Sequence, residues 1–284
     1  MAVGNVKYKD RLFNFLFGSD ENRAWTLSLY NAVNGSNYTD PSAIEITTIK
    51  EIMYMGIQND TSFLISDEMN LYEQQSSYNP NMPVRLMEYA AHLYDKYIKQ
   101  TRQNKYGKKQ MHLPAPRLVV FYNGTDEQPE EKELKLSDSF PEGAISDIEV
   151  TVRMLNVNRG KNEKLMNACK PLAEYSWLVA EVRKNNKTKD EEGVSSAIDL
   201  AINAMPNVYV IKPFLETHRA EVKGMLMEEY NEAEAMELFK EDGRREKEIE
   251  NIHSLMETLK LTAKQAMDAL KIPLSEQAKY MKML

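Results

Sequence analysis

The chain holds a single cysteine, Cys169, in 284 residues. One thiol excludes an internal disulfide and suits a reducing cytoplasm. Cys169 falls at an apolar position of an expected helix, which reads as a buried structural thiol and not as a nucleophile. No apolar run approaches the roughly 20 residues that a membrane helix needs, so no membrane partner is expected. Met1 to Asn5 lack the basic start and apolar stretch of a secretory signal. The four histidines, His92, His112, His218 and His253, are scattered without zinc-ligand spacing. There is no glycine-rich phosphate loop and no repeat of solenoid type.

Apolar residues make up 42% of the chain, enough for a sizeable core, and the seventeen methionines fit as core filling. The net charge of −7 opposes nucleic-acid binding by bulk attraction. It leaves room for a local basic groove, because charge is unevenly spread. Lys96, Lys99, Arg102, Lys105, Lys108, Lys109 and Arg117 occupy one stretch with no acid among them. Asp126 to Glu133 carries five acids and one lysine. The basic stretch is either a phosphate-contacting surface or a solvated helix end and loop.

Periodicity predicts helices over Tyr8–Phe17 and Glu21–Val33, the second stopped by Asn34-Gly35. Ile44 to Ile49 alternates and reads as a strand, whereas Ile52 to Ile57 fits strand or helix. Thr61–Ile65 and Leu71–Ser76 read as a hairpin joined by a polar turn of about five residues, Ser66 to Asn70. Asn79 to Pro83 breaks the chain and starts a helix over Val84–Thr101, with Asn81 as candidate cap. Leu113 to Pro116 is an extended lead into Leu118–Tyr122, a fully apolar run of the kind found in central strands. Ile148–Val157 is a further strand. Helices are expected over Glu163–Lys184, Val194–Met205 and Phe214–Phe239, with shorter ones after Thr262 and Ser275. The fold class is therefore mixed α/β. The expected organisation is a main domain over residues 1–239, a charged helical linker over 240–251 and a small helical tail over 252–284.

One constellation carries chemistry. Asp60 stands at the entry of the first hairpin strand, and Glu73 and Gln75 lie two apart on the second, on one sheet face. Two converging carboxylates make a hard-oxygen site for Mg²⁺ or Mn²⁺. Such an ion lowers the pKa of a bound water and stabilises a phosphoryl oxygen. Gln75 offers an amide to a water or a phosphate oxygen. On spacing alone, acidic pairs on a sheet face are common.

The surrounding words add weight. Asn59-Asp60-x-Ser62-Phe63-Leu64-Ile65, Leu71-Tyr72-Glu73-x-Gln75-Ser76 and Asn79-Pro80-Asn81-Met82-Pro83-x-Arg85 follow one another. Leu113-Pro114-x-Pro116 with Val120-Phe121-Tyr122-Asn123-Gly124, Leu134-x-Leu136-Ser137-Asp138-x-Phe140 and Asn156-Val157-Asn158-x-Gly160-x-Asn162 come after them in order. Together they resemble the PD-(D/E)XK nuclease family transposases, close to the recombination-promoting nucleases of bacteria, from about Tyr8 to Tyr230. The resemblance implies a restriction-endonuclease-like core, a mixed sheet flanked by helices. It implies metal ligands at Asp60 and Glu73, with Asp10 as a further one. Gln75 matches the position that is lysine in the standard pattern, which leaves the electrophilic role without a cation. The activity implied is Mg²⁺- or Mn²⁺-dependent DNA cleavage in the cytoplasm, linked to recombination or a mobile element. The alternative is a catalytically weak or inactive member of the same fold that binds nucleic acid or a protein, in a setting such as phage defence. Arg85, Lys105, Lys108 and Lys109 are the candidate DNA contacts, although Arg85 and Asn81 also fit a helix start, and Asn123 fits a turn. The C-terminal helices, too short to stand alone in water, are expected to pack on each other, on the main domain or in a homodimer.

Overall fold

A computed structural model describes residues 11–47, 61–188, 190–281 and 283–284, with backbone only over 232–242. The fold is mixed α/β, as the sequence predicts: a six-stranded open sheet flanked by helices, with further helices at the C-terminus. The chain divides into two compact units, one ending at Tyr230 and one running from Asn231 to Leu284.

In the first unit, α1 (Leu12–Phe17) and α2 (Arg23–Asn34) come first. Gly35 ends α2 with a left-handed φ of 66°, and its N–H bonds back to the Asn31 carbonyl. The strands are β1 (Glu45–Ile46), β2 (Thr61–Ile65), β3 (Glu68–Gln75), β4 (Ala115–Tyr122), β5 (Glu131–Lys135) and β6 (Thr151–Asn156). They lie in the order β1-β2-β3-β4-β6-β5. β3, β4 and β6 are parallel, whereas β1, β2 and β5 run antiparallel to their neighbours. A parallel β3–β4 pair needs a crossover, and α3 (Met82–Gln100) supplies it.

Alternate strand residues face two separate cores, one on each side of the sheet. Phe63, Tyr72, Val119, Phe121 and Leu155 join α1, α2 and the later helices in one core. Phe13 of α1 lies 5.0 Å from Phe121, and Tyr72 lies 5.3 Å from the same ring, so aromatic edges lock this layer. Met69, Leu71, Val120, Tyr122 and Met154 face the opposite way and pack under Leu86, Tyr89, Ala90 and Leu93 of α3. Those helix positions are the stripe expected from the sequence.

Several boundaries differ from expectation for identifiable reasons. The hairpin turn is Ser66-Asp67, not Ser66 to Asn70, because Ile65 pairs with Glu68. Ser66 takes a left-handed φ of 51°, which lets a two-residue turn close. β4 begins at Ala115 and includes Pro116, which proline permits because β6 pairs with β4 only from Val119 onward. β5 was not foreseen: only Leu134 of Glu131–Lys135 is buried, and this charged strand covers a sheet edge. The expected helix 163–184 is two helices, α4 (Glu163–Ala168) and α5 (Lys170–Asn185). Cys169 between them is extended, and Pro171, lacking an N–H, opens α5. α6 (Glu191–Ala204) is capped by Asp190, whose carboxylate accepts from the Gly193 N–H at 2.7 Å. α7 (Lys212–Thr217) and α8 (Arg219–Leu259) replace a single helix from Phe214. α8 runs through the charged stretch 240–251.

In the second unit, the last part of α8 is followed by α9 (Ala263–Ala269) and α10 (Leu274–Tyr280). Thr262 and Gln265 form a reciprocal capping box at the start of α9. Ser275 does not cap α10, which starts one residue earlier after Pro273. Ile252, Ala266, Met267, Ile272 and Tyr280 bury one another in a core of this unit's own.

Candidate active site

The carboxyl end of β3 is Glu73-Gln74-Gln75, paired in parallel with Val120, Phe121 and Tyr122 of β4. This strand is interior to the sheet, so all three polar side chains are buried: Glu73 is 3% exposed, Gln74 0% and Gln75 7%. Burying a charge and two amides in sequence costs free energy unless each is partnered. Strand alternation sends Glu73 and Gln75 to the α3 face and Gln74 to the other.

On the α3 face, Glu73 Oε1 accepts from Arg85 Nη2 at 2.9 Å. Arg85 sits in the first turn of α3, which the short loop after Gln75 returns to the strand end. Its guanidinium also donates to the Tyr89 hydroxyl at 3.0 Å and lies 5.8 Å from that ring's centroid. Arg85 thus bridges a buried carboxylate to the surface, its side chain 37% exposed. Asn81 occupies the helix-start position but makes no side-chain cap bond.

On the other face a buried amide relay takes shape. Gln74 Nε2 donates to Asn123 Oδ1 at 2.6 Å, and Asn123 Nδ2 donates to the Tyr175 hydroxyl at 2.9 Å. Arg11 Nη1 donates to Gln74 Oε1 at 2.9 Å, and the Asn123 N–H bonds to the Gln75 carbonyl at 3.0 Å. Arg183 of α5 donates to the Asn123 carbonyl and, at 3.0 Å, to Asn158 Oδ1. Gly124 follows where the ends of β3 and β4 converge. A Cβ there would collide with the Ser76 carbonyl and the Tyr122 hydroxyl. Carboxyl ends of parallel strands are where open α/β sheets place their ligands.

No family model matches the chain, and no curated protein or solved structure does.

Asp10 and Asp60 lie outside the described residues. Their chain neighbours do not: Arg11 bonds Gln74, and Thr61 pairs with Tyr72. Among the described residues no group of three His, Cys, Asp or Glu side chains gathers as a metal site. Of the oxygen ligands that a hard divalent cation takes, the described residues offer one buried carboxylate at Glu73. A second carboxylate would have to come from Asp60, with Asp10 as a further ligand.

The structure separates the other candidates from this site. Lys105, Lys108 and Lys109 lie beyond the C-terminus of α3, whereas Arg85 is at its N-terminus. Most of a 19-residue helix intervenes, roughly 23 Å at 1.5 Å per residue. Cys169 is fully buried and burial pushes its thiol up to about 11, which removes it as a nucleophile near neutral pH. His218 is held against Phe15 and Phe214, with ring centroids 5.3 and 4.5 Å away.

Reading the sequence as a pattern missed Gln74, Asn123, Tyr175, Arg11 and Arg183. One signal was available: three polar residues close a strand whose neighbour is wholly apolar. Asn123, read as a turn residue, is 3% exposed and central to the relay.

Proposed function

We propose that the chain is a divalent-metal-dependent DNA endonuclease of the PD-(D/E)XK type, hydrolysing phosphodiester bonds in the cytoplasm in connection with recombination or a mobile element. The observation that carries this reading is the buried Glu73-Gln74-Gln75 segment at the carboxyl end of an interior strand. Folding gains nothing from a carboxylate there that apolar packing would not supply. Asp60 and Glu73 would hold Mg²⁺ or Mn²⁺, with Asp10 as an additional ligand. Such an ion supplies Lewis-acid stabilisation of the phosphoryl oxygens. Glu73 is oriented by Arg85, and Gln75 presents its amide to a water or a phosphate oxygen. The Gln74–Asn123–Tyr175 relay holds the strand end on the opposite face.

A second reading has one observation in its favour. Arg85 already compensates Glu73 with a positive charge, as a site without a cation would require. On that reading the chain keeps the nuclease fold and binds nucleic acid or a protein partner without cutting, as in phage defence. Incubation of supercoiled and linear DNA with the full chain and Mg²⁺, Mn²⁺ or EDTA decides between them. Nicking or linearisation with either metal and none in EDTA is expected. Intact DNA in every lane, together with retained binding, would establish the second reading.

The second unit is proposed to pair two copies of the chain, since double-strand cleavage uses two active sites and two-fold dimers are the commonest oligomers. Each unit has its own core. A chain ending at Tyr230 is therefore expected to stay folded and to run as a monomer in light scattering, against a dimer for the full chain. A dimeric truncated chain would place the interface in the sheet domain.

A further inference from the structure

The segment after α3 is a closed basic loop remote from the carboxyl end of the sheet. Gln103 closes it with one side chain: Nε2 donates to the His112 carbonyl at 3.1 Å, and Oε1 accepts from the His112 N–H at 3.2 Å. Inside that clasp, Asn104 accepts from the Tyr106 N–H at 3.0 Å and its carbonyl accepts from the Gly107 N–H at 3.0 Å. The loop thus has fixed geometry although nearly all of it is exposed. It lines an open pocket of about 530 Å³ whose walls include Tyr97, Arg102, Lys108, Lys109 and His112 and contain no carboxylate.

Charge on this surface is sorted. Lys99 and Lys105 are paired with Asp95, at 2.5 and 3.7 Å, and Arg117 with Glu68 at 2.6 Å. Among the described residues, Arg102, Lys108 and Lys109 have no carboxylate within ion-pair distance. Three cations therefore line one open pocket on a chain whose net charge is −7. Beside them Tyr106 is 88% exposed, an unusual position for an aromatic ring. Lys105 lies 5.7 Å from its centroid and helps to set its orientation. Cations that track a phosphate backbone beside an open aromatic face are the combination that holds single-stranded nucleic acid.

We infer that the loop Arg102–His112 is a binding site for a nucleic-acid strand, with Arg102, Lys108 and Lys109 on its phosphates and Tyr106 stacked on a base. This site lies apart from the proposed catalytic end and does not depend on cleavage there. It goes beyond that reading by giving the protein a second, metal-independent hold on its substrate.

The test is fluorescence anisotropy of a labelled single-stranded DNA 20-mer and the matching duplex with the full chain in EDTA, over a series of salt concentrations. Lys108→Glu with Lys109→Glu is expected to weaken single-strand binding at least tenfold at low salt. It should also lower the log–log salt slope by roughly 1.4, at about 0.7 per phosphate contact. Tyr106→Ala is expected to weaken the single strand about fivefold or more and the duplex less, since only an unpaired base offers its face. EDTA removes the divalent ion on which the proposed cleavage depends, so loss of cleavage and loss of this site are separable. Because the substituted side chains are exposed, circular dichroism should be unchanged. Wild-type affinity in both loop variants would overturn the proposal. So would binding to phosphatidylserine vesicles with no binding to the strand.

Discussion

Glu73→Gln is expected to lower metal-dependent DNA cleavage roughly a thousandfold while leaving the fold intact. A divalent ion contributes several kcal/mol of transition-state charge stabilisation, and each 1.36 kcal/mol is about a factor of ten in rate. Glutamine matches the shape of the carboxylate but not its charge, so the hold on the cation is lost. The structural cost is small because glutamine Oε1 still accepts from Arg85. The Arg85 side chain, 37% exposed, also has water within reach. A change of about 1 kcal/mol in urea denaturation is expected. Thermal shift gives a readout independent of catalysis. Mn²⁺ should raise the melting temperature of the wild type, because a ligand that binds only the native state stabilises it, and should not raise that of Glu73→Gln or Asp60→Asn. Equal cleavage or an equal Mn²⁺ shift in a folded Glu73→Gln protein would remove Glu73 from the metal site.

How far the sequence was legible depended on how locally each feature is determined. The two strands of the hairpin and β4 are written in short runs of strand-forming residues and the buried stripe of α3 in a period of 3.6, and the structure reproduces them. Turn geometry was harder. Ser66 accepts a left-handed backbone, so β3 starts three residues earlier than its apolar pattern indicates. β5 has one buried residue, and its identity as a strand comes from its pairing with β6. Glu73 and Gln75 stood out because they lie two apart on one strand and so on one face of the sheet. Arg11, Asn123, and Tyr175 with Arg183 of α5 could not be grouped this way, since they come from three separate stretches of chain. Only the sheet order brings them to one strand end. The basic segment was visible from composition, but its distance from Glu73 depends on α3 crossing the sheet before the lysines appear.

Asn123→Leu is expected to destabilise the sheet domain by about 3 kcal/mol, far more than a turn residue would. Leucine fills similar space but strips the acceptor from Gln74 Nε2 and the donor from the Tyr175 hydroxyl. Each buried polar group deprived of a partner costs about 1–3 kcal/mol. Gln74 is 0% exposed and Tyr175 is 0% exposed, so water does not readily replace what is lost. The backbone bond from the Asn123 N–H to the Gln75 carbonyl survives the substitution, and the register of β3 against β4 should hold. A double-mutant cycle with Gln74→Leu isolates the relay. Replacing both amides removes the mismatch, so the double variant should recover about 1–2 kcal/mol relative to the sum of the singles. Urea denaturation followed by tryptophan fluorescence measures all four proteins. A loss below about 0.5 kcal/mol in Asn123→Leu, the range of surface positions, would reduce Asn123 to the turn residue its sequence context indicates. A full loss with no coupling to Gln74 would place the strain at Tyr175 or Arg183 instead. Coupling of the expected size would mean that the strand end carrying Glu73 and Gln75 is held from behind by a polar network whose stability is separable from the chemistry on its other face.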